Sequence, residues 1–451
     1  MQRNKLLLIF YGDDFTGSTD VMETLAINGI PTLLFLKTPT ASEVENIQLK
    51  RRFGGSKLRA FGVAGIGRSL DPVAMQKELD PIFSALAKFP ADYFLYKVCS
   101  TLDSAPHVGN IGTAMAVALK YFPSTQIPCI VGAPFLNRFV VFGNLFARLD
   151  NKTYRLDRHP VMSLHPVTPM QESDIGRHLS RQTDLKMKSV NLLQMQSGLQ
   201  DAEVSDQTES DPKLIIFDTL SNDDLQFLGD HLYNSWQGGT QLVLGSSGAS
   251  YGLAKYVLSQ ENIQEGENIG GAEIVSQIFV VSGSCSPVTE RQIRYCLDLG
   301  FAGVRMDVIK LIARQQEYLL EVLEEVAEAF RSGRSAIVYT ALGPSDPSIH
   351  QIQGMHEVNL NAVLGPGAAH LFAEMISRFG QIRCVVVGGD TSGYVSRQLG
   401  IYALEMLAPI APGAPLCVAH ATDVRFDGLE IALKGGQNGK DDYFEKILKG
   451  H

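Results

Sequence analysis

The sequence predicts an α/β protein of two domains, each built around a mainly parallel sheet, and three observations carry that expectation. Short apolar runs alternate with helix-length segments almost throughout, the pattern left by crossover connections between parallel strands. At 451 residues the chain exceeds the size at which a single hydrophobic core keeps growing. The stretch 259–268 has charges and glycines but no apolar periodicity, which marks a linker. The expected division is therefore 1–258, a linker over 259–276, and 277–451.

Taken in order, the first strand is 6–11, a continuous apolar run of the length that suits a buried parallel strand. Thr16-Gly17-Ser18 then opens an amphipathic helix over 19–28. Further strands are expected at 32–36, 60–64, 93–97, 129–132, 214–218 and 242–244, with helices over 72–88, 111–121, 172–182 and 222–236. The stretch 200–213 carries five acidic residues and few apolar ones, and reads as a solvated loop. Beyond the linker, strands are expected at 278–281, 302–306, 336–339, 384–387 and 416–419. Within 317–331, Leu319, Val322, Leu323, Val326 and Phe330 fall on one helical face, and Gly333 follows as a stop signal.

Composition excludes some classes of function. A formal charge of −9 with no basic tract argues against a general nucleic-acid binder, so an anionic substrate must meet local positive groups. No apolar run is long enough to span a bilayer, and the Arg3 and Lys5 that precede 6–10 do not make a secretory leader, because Gly12-Asp13-Asp14 cuts the apolar core short. Six cysteines without a Cys-x-x-Cys pair fit a reducing compartment. The expectation is a cytoplasmic protein with a small-molecule partner, no nucleic acid and no membrane, for which a homo-oligomer stays open.

Chemistry-bearing residues gather at strand ends. Asp13-Asp14-Phe15-Thr16-Gly17-Ser18-Thr19-Asp20 follows the first strand directly, and the carboxyl end of a strand is where an open α/β sheet holds its ligand. Asp14 or Thr16 would cap the helix, but capping needs one side chain and the segment supplies six polar ones. Lys97, Ser100, Thr101 and Asp103 end a later strand: Lys97 suits a substrate carboxylate and the others suit sugar hydroxyls, against the plainer reading of a lysine reaching solvent beside a turn. Arg138, after the strand 129–132, is a further cation. Cys99 reads as a small buried residue rather than a nucleophile.

In the second half, Gly388-Gly389-Asp390-Thr391-Ser392-Gly393 follows a strand and leads into a helix, an arrangement that aims backbone N–H groups at an anion. Ser282-Gly283-Ser284-Cys285-Ser286-Pro287 repeats it, Gly365-Pro366-Gly367-Ala368-Ala369 is expected to open another helix, and Lys434-Gly435-Gly436 lies near the end. Together they favour a nucleotide, while a P-loop and a dinucleotide fingerprint are both lacking. His159 and His165 sit in a proline-rich loop without matched carboxylates, so no metal site is expected there. Gly245-Ser246-Ser247-Gly248-Ala249 fails as a nucleophile elbow, and Asp13-Asp14 lacks the Asp-x-Asp of aspartyl phosphatases.

The Asp13–Asp20 segment, the Gly388–Gly393 turn and Lys434-Gly435-Gly436, in this order over nearly the whole chain, resemble the four-carbon acid sugar kinase family. The resemblance implies an acid-sugar-binding domain followed by a nucleotide-binding one, an active site in the cleft between them, and ATP with Mg2+ as donor for a terminal hydroxyl of a short sugar acid. By motif, Asp13, Asp14 and Thr16 would face the sugar, and Ser284, Gly388, Gly389, Asp390, Thr391, Gly393 and Gly436 the nucleotide. Asp14 or Asp13 would be the base, with Asp103 behind them; Lys97 and Arg138 would clamp the substrate carboxylate. Asp390 stands where the family more often has Glu. The Cys99-Ser100-Thr101-Leu102-Asp103-Ser104 segment lacks the Arg of aldonate kinases and is similar to the branch acting on 3-oxo acids, and the longer 155–170 segment to kinases of branched 3-oxo acids such as 3-oxo-isoapionate. A tetronate kinase, or a non-catalytic sensor on the same fold, is the alternative.

Overall fold

The computed structural model describes residues 6–49, 57–199, 211–261, 271–349 and 360–451, without the side chains of Leu49, Glu261, Gln315, Leu360, Asn361, Ala362 and Asp390. Half of the expected linker 259–276 and most of the acidic stretch 200–213 lie outside those residues, as do Arg3 and Lys5. The chain divides into two compact units, one of Met1–Thr32 with Thr38–Asn268 and one of Leu33–Lys37 with Ile269–His451.

The strands of the first part of the chain are β1 (Leu6–Gly12), β2 (Thr32–Phe35), β3 (Ala60–Ala64), β4 (Ala91–Lys97), β5 (Gln126–Ile130), β6 (Arg138–Val141), β7 (Asn144–Leu149), β8 (Lys152–Arg155), β9 (Lys186–Val190), β10 (Lys213–Phe217) and β11 (Gln241–Gly245). In the first unit β3, β1, β4, β11, β5, β10 and β9 lie side by side, every pair parallel. Strands β1, β4 and β10 are buried along their whole length, which is why they read as continuous apolar runs instead of alternating ones. Phe83, on the helix Pro72–Leu86, packs edge-on against Tyr11 of β1 and Phe94 of β4, with ring centroids 5.5 and 5.0 Å apart. That helix starts where the sequence says it should: Asp71 accepts from the N–H groups of Val73 and Ala74, and Pro72 follows it. From β1 the chain runs to β3 on one side and then crosses to β4 on the other, so the strand order reverses about β1. Gly12 lies opposite both Ala64 and Lys97, so these three strands end level. Strands β6, β7 and β8 make a separate antiparallel meander that the sequence does not signal.

In the second unit the strands are β12 (Ile278–Ser282), β13 (Ala302–Arg305), β14 (Ala336–Tyr339), β15 (Arg383–Val387), β16 (Ile401–Ala408), β17 (Leu416–Ala421) and β18 (Glu430–Lys434). Order β13-β14-β12-β15-β18 is parallel, and β17, β16 and β2 continue it antiparallel. Its core joins Ile278, Val280, Ile337, Val385 and Val387 of the sheet to Ile293, Phe444 and Ile447 of the helices. The strand expected at 32–36 forms as β2, yet Leu33, Leu34 and Phe35 pair with Glu405, Leu404 and Ala403 and count with the second unit. Among the described residues no helix is long and apolar enough to cross a membrane.

Two helix expectations need correction. The helix expected over 172–182 forms only as Ile175–Leu179, because Asp174 caps it at Arg177 N and the Glu172 carboxylate folds back onto Asp174 N. Gly365-Pro366-Gly367 does not open a helix but lies inside the helix Leu360–Phe379. There a Cβ at Gly365 would collide with Tyr394, so the glycine serves a close helix crossing, not an anion.

Candidate functional site

In the first unit the level ends of β3, β1 and β4 are tied by backbone hydrogen bonds. Asp13 N donates to Lys97 O at 3.0 Å, and Arg68 N donates to Asp13 O at 2.9 Å, which draws the short 3-10 turn Gly67–Ser69 over the end of β1. Asp14 caps the helix Phe15–Ile27 by accepting from Gly17 N at 2.9 Å. Both carboxylates then meet one guanidinium. Arg68 donates to Asp13 through Nη2 at 2.7 Å and Nε at 3.2 Å, and to Asp14 through Nη1 at 3.0 Å and Nη2 at 2.9 Å. Asp103 Oδ2 stands 4.0 Å from Arg68 Nη1.

A second cation lies on the other side of Asp14. Lys97 is 2% exposed, and a Cβ on Gly17 would sit 2.6 Å from its Nζ and 2.5 Å from Asp14 Oδ1, so the missing side chain at Gly17 is what lets both groups press against the first helical turn. Lys97 also acts on Asp20, whose carboxylate accepts from the Ser247 hydroxyl. Burial pushes the Asp13 and Asp20 carboxyls above the usual carboxylate range; Arg68 opposes the rise at Asp13, and Lys97 and Ser247 oppose it at Asp20. Asp14 keeps 29% of its side chain exposed against 6% for Asp13, so Asp14 is the carboxylate a ligand can reach while Asp13 anchors Arg68.

The other residues singled out in the sequence fall into place unevenly. Thr101 donates to Asp103 Oδ1 at 2.8 Å, which joins that loop to Arg68 through Asp103. Ser100 is half-buried beside it, and Thr16 is half-buried on the first turn of the Phe15–Ile27 helix. The Cys99 thiol is pushed up to about 11 by burial and keeps its proton at neutral pH. Arg138 starts β6 and donates to the carbonyls of Leu136 and Asn137 in its own turn. Among the described residues, none of its side-chain hydrogen bonds goes to the aspartates. His159 and His165 accept loop N–H groups through Nδ1, from Val161 and Met162 and from Thr168 respectively. Arg68 was not among the sequence candidates. Its only local signal is a cation just after Gly65-Ile66-Gly67, four residues beyond an expected strand.

In the second unit the expected nucleotide residues converge at the carboxyl ends of three adjacent strands. Ser282 lies opposite Val387 and Val387 opposite Lys434, so the turns after β12, β15 and β18 are neighbours. Gly388 has φ +119°, a conformation suited to glycine alone, and its N–H donates to Lys434 O at 2.9 Å. The helix Gly389–Gln398 begins at once, so its first N–H groups leave the end of β15 unpaired within the helix. Gly393 and the buried Thr391 lie in this helix, and Ser392 turns its hydroxyl inward to Val386 O. A Cβ on Gly389 would meet nothing within 4 Å, whereas one on Gly436 would collide with Ser284 Oγ. The Gly436 carbonyl accepts from Ser286 and, at 2.9 Å, from Thr289. The cradle is thus small side chains and backbone, open at Gly389, which fits an oligophosphate. Among the described residues no group of three His, Cys, Asp or Glu forms a metal cage. Mg2+ held mainly by phosphate oxygens, with one or two carboxylates and waters, needs none.

A strand-end pair of carboxylates braced by arginine and a glycine-lined anion cradle on separate α/β units define a small-acid phosphotransferase. Comparison with known proteins agrees. A family profile described as a sugar-binding N-terminal domain matches residues 8–253, and one described as a nucleotide-binding C-terminal domain matches 279–444. The chain belongs to the four-carbon acid sugar kinase family. It is 38% identical to a 3-oxo-isoapionate kinase of Paraburkholderia graminis over 453 residues, covering 99% of this chain and 94% of that one. A 3-oxo-tetronate kinase of Cupriavidus necator is 30% identical over 456 residues, covering 98% and 96%. The crystal structure of a Haemophilus influenzae protein shares the fold at TM-score 0.76 and 23% identity, over 97% of this chain and 98% of that one.

Proposed function

We propose that this protein transfers the γ-phosphoryl group of ATP to a terminal hydroxyl of a short 3-oxo sugar acid, and that the branched five-carbon class typified by 3-oxo-isoapionate is its substrate. The observation that carries the reading is the Arg68-bound Asp13/Asp14 pair with Lys97 beside it, at the carboxyl end of a parallel sheet. The higher identity to the 3-oxo-isoapionate kinase, 38% against 30%, favours the branched acid. The first unit holds the acid and the second the nucleotide, with the boundary in 259–276. The donor is Mg-ATP. The protein works in the cytoplasm, in keeping with six unpaired cysteines.

Phosphoryl transfer leaves a protein mainly positioning and charge screening to do. The acceptor hydroxyl loses its proton to Asp14 as its oxygen bonds the γ-phosphorus and the bond to the β-phosphate oxygen breaks, releasing ADP. Arg68 keeps the Asp14 carboxylate oriented, and the Lys97 ammonium offsets the negative charge of the sugar carboxylate. Thr16, Ser100, Thr101 and Asp103 offer hydrogen bonds to the remaining hydroxyls. Asp390 is the second residue of the Gly389–Gln398 helix, and its residue type would suit either a metal-bound water or the ribose of the nucleotide. The acceptor oxygen must come within roughly 3–3.5 Å of the γ-phosphorus, which requires the ligands of the two units to meet.

A coupled ADP-release assay over 3-oxo-isoapionate, 3-oxo-tetronates and tetronates tests the reading. The expected result is the highest kcat/KM for the branched 3-oxo acid. ATP and sugar-acid binding without ADP release from any acid in the panel would instead make the protein a sensor.

A further inference from the structure

The second unit buries a lysine amine that no described carboxylate balances. Lys434 ends β18 and is 1% exposed; its Nζ donates to Gly435 O at 3.0 Å and lies 5.5 Å from the centroid of the Tyr443 ring. The neighbouring carboxylates have cations of their own. Asp441 pairs with Arg291, Asp442 with Lys446, Glu445 with Lys449, and Glu430, at the far end of β18, with Arg383. The Tyr443 hydroxyl donates to Ala414 O. Burial without an opposite charge disfavours the charged form of the amine, so a lysine kept at such a position needs a reason.

The position supplies one. Lys434 O receives the Gly388 N–H, and the two residues after Lys434 are the Gly435-Gly436 turn that Ser286 and Thr289 hold by its carbonyl. The amine therefore lies against the Gly435 carbonyl of a turn that adjoins the ends of β12 and β15. We propose that Lys434 is a phosphate-binding residue of the nucleotide site, its ammonium exchanging the Gly435 carbonyl for a phosphate oxygen of the bound nucleotide. The inference rests on the nucleotide reading of this unit and adds to it the cation that a backbone cradle lacks.

The amine has a property that reports on this role. Burial pulls it down to about 7, so in the ligand-free protein it is largely neutral at about pH 8. A phosphate beside it favours the charged form, and docking then takes up a proton from solvent. At about pH 8 the nucleotide phosphates are already ionised, so the uptake belongs to the protein.

Calorimetric titration of ADP, in buffers of differing ionisation enthalpy between about pH 7.5 and 8.5, tests this on the wild-type protein and on Lys434→Met. The wild type is expected to take up a proton on binding, approaching ~1 per ADP at the upper end. Lys434→Met, with its circular dichroism unchanged, is expected to bind ADP about 10- to 100-fold more weakly, the size of one charged hydrogen bond, and without uptake. Equal affinity in the variant overturns the proposal. So does wild-type binding without proton uptake, which needs no variant and leaves Lys434 a structural brace. A wild-type protein that binds neither ADP nor ATP would instead defeat the nucleotide reading, and this inference with it.

Discussion

Replacing Arg68 by methionine removes the guanidinium that unites Asp13 and Asp14 while keeping much of its apolar stem. Four hydrogen bonds between 2.7 and 3.2 Å disappear, and two carboxylates that shared one partner are left side by side. Breaking a buried ion pair from one side costs about 3–5 kcal/mol. Here Arg68 keeps 24% and Asp14 29% of the side chain exposed, so solvent screens part of the loss and about 2–3 kcal/mol is expected. The deficit has a pH signature. Burial raises Asp13 in the folded state and Arg68 opposes the rise, so without Arg68 its folded pKa climbs further above the unfolded value. The folded state then holds more protons than the unfolded one between those two values, and stability falls as pH rises through that window. The variant should therefore lie closest to wild type near about pH 5 and furthest from it near about pH 8. Urea unfolding followed by the fluorescence of Trp236, the single tryptophan and a residue of the first unit, reads the difference. A deficit of the same size at both pH values, or none near pH 8, would refute the reasoning.

Two further variants separate the tasks of the units. Asp14→Asn should abolish turnover and leave nucleotide affinity nearly unchanged, whereas Gly389→Val, at a position with open space around its Cβ, should keep the melting temperature and lose nucleotide binding; equal loss of ATP affinity in both would contradict the division. Gly365→Ala should destabilise the second unit by about 1–3 kcal/mol, because its methyl group runs into Tyr394. A melting temperature equal to wild type would show that the two helices separate at no cost.

Much of the fold was legible because buried parallel strands announce themselves as short apolar runs. The strands expected at 60–64 and 336–339 form with those bounds. Strands β16 and β18 escaped notice because Ile401–Ala408 and Glu430–Lys434 are rich in Ala, Leu, Glu and Met, which favour helix locally. Their pairing with β17 overrides that preference. Local likeness also misled in the other direction. Gly365-Pro366-Gly367 has the composition of an anion turn and is a helix crossing.

By itself the sequence determined where the chain is buried, where it turns, and that Asp13, Asp14, Lys97, Asp103 and the glycines at 388 and 436 stand at the ends of strands. Those are properties of neighbouring residues: an apolar run, a helix cap, a turn. Only the tertiary structure decided who meets whom. Arg68 reaches both aspartates because β3 lies beside β1, and Lys97 comes to the first turn of the Phe15–Ile27 helix because β4 lies on the other side. The Leu33–Phe35 segment belongs with β16, some 370 residues later by the order-of-magnitude separation that makes such pairings invisible to local pattern. Strand neighbours are chosen by packing between surfaces far apart in the chain, and the charges at their ends acquire partners only once that choice is made.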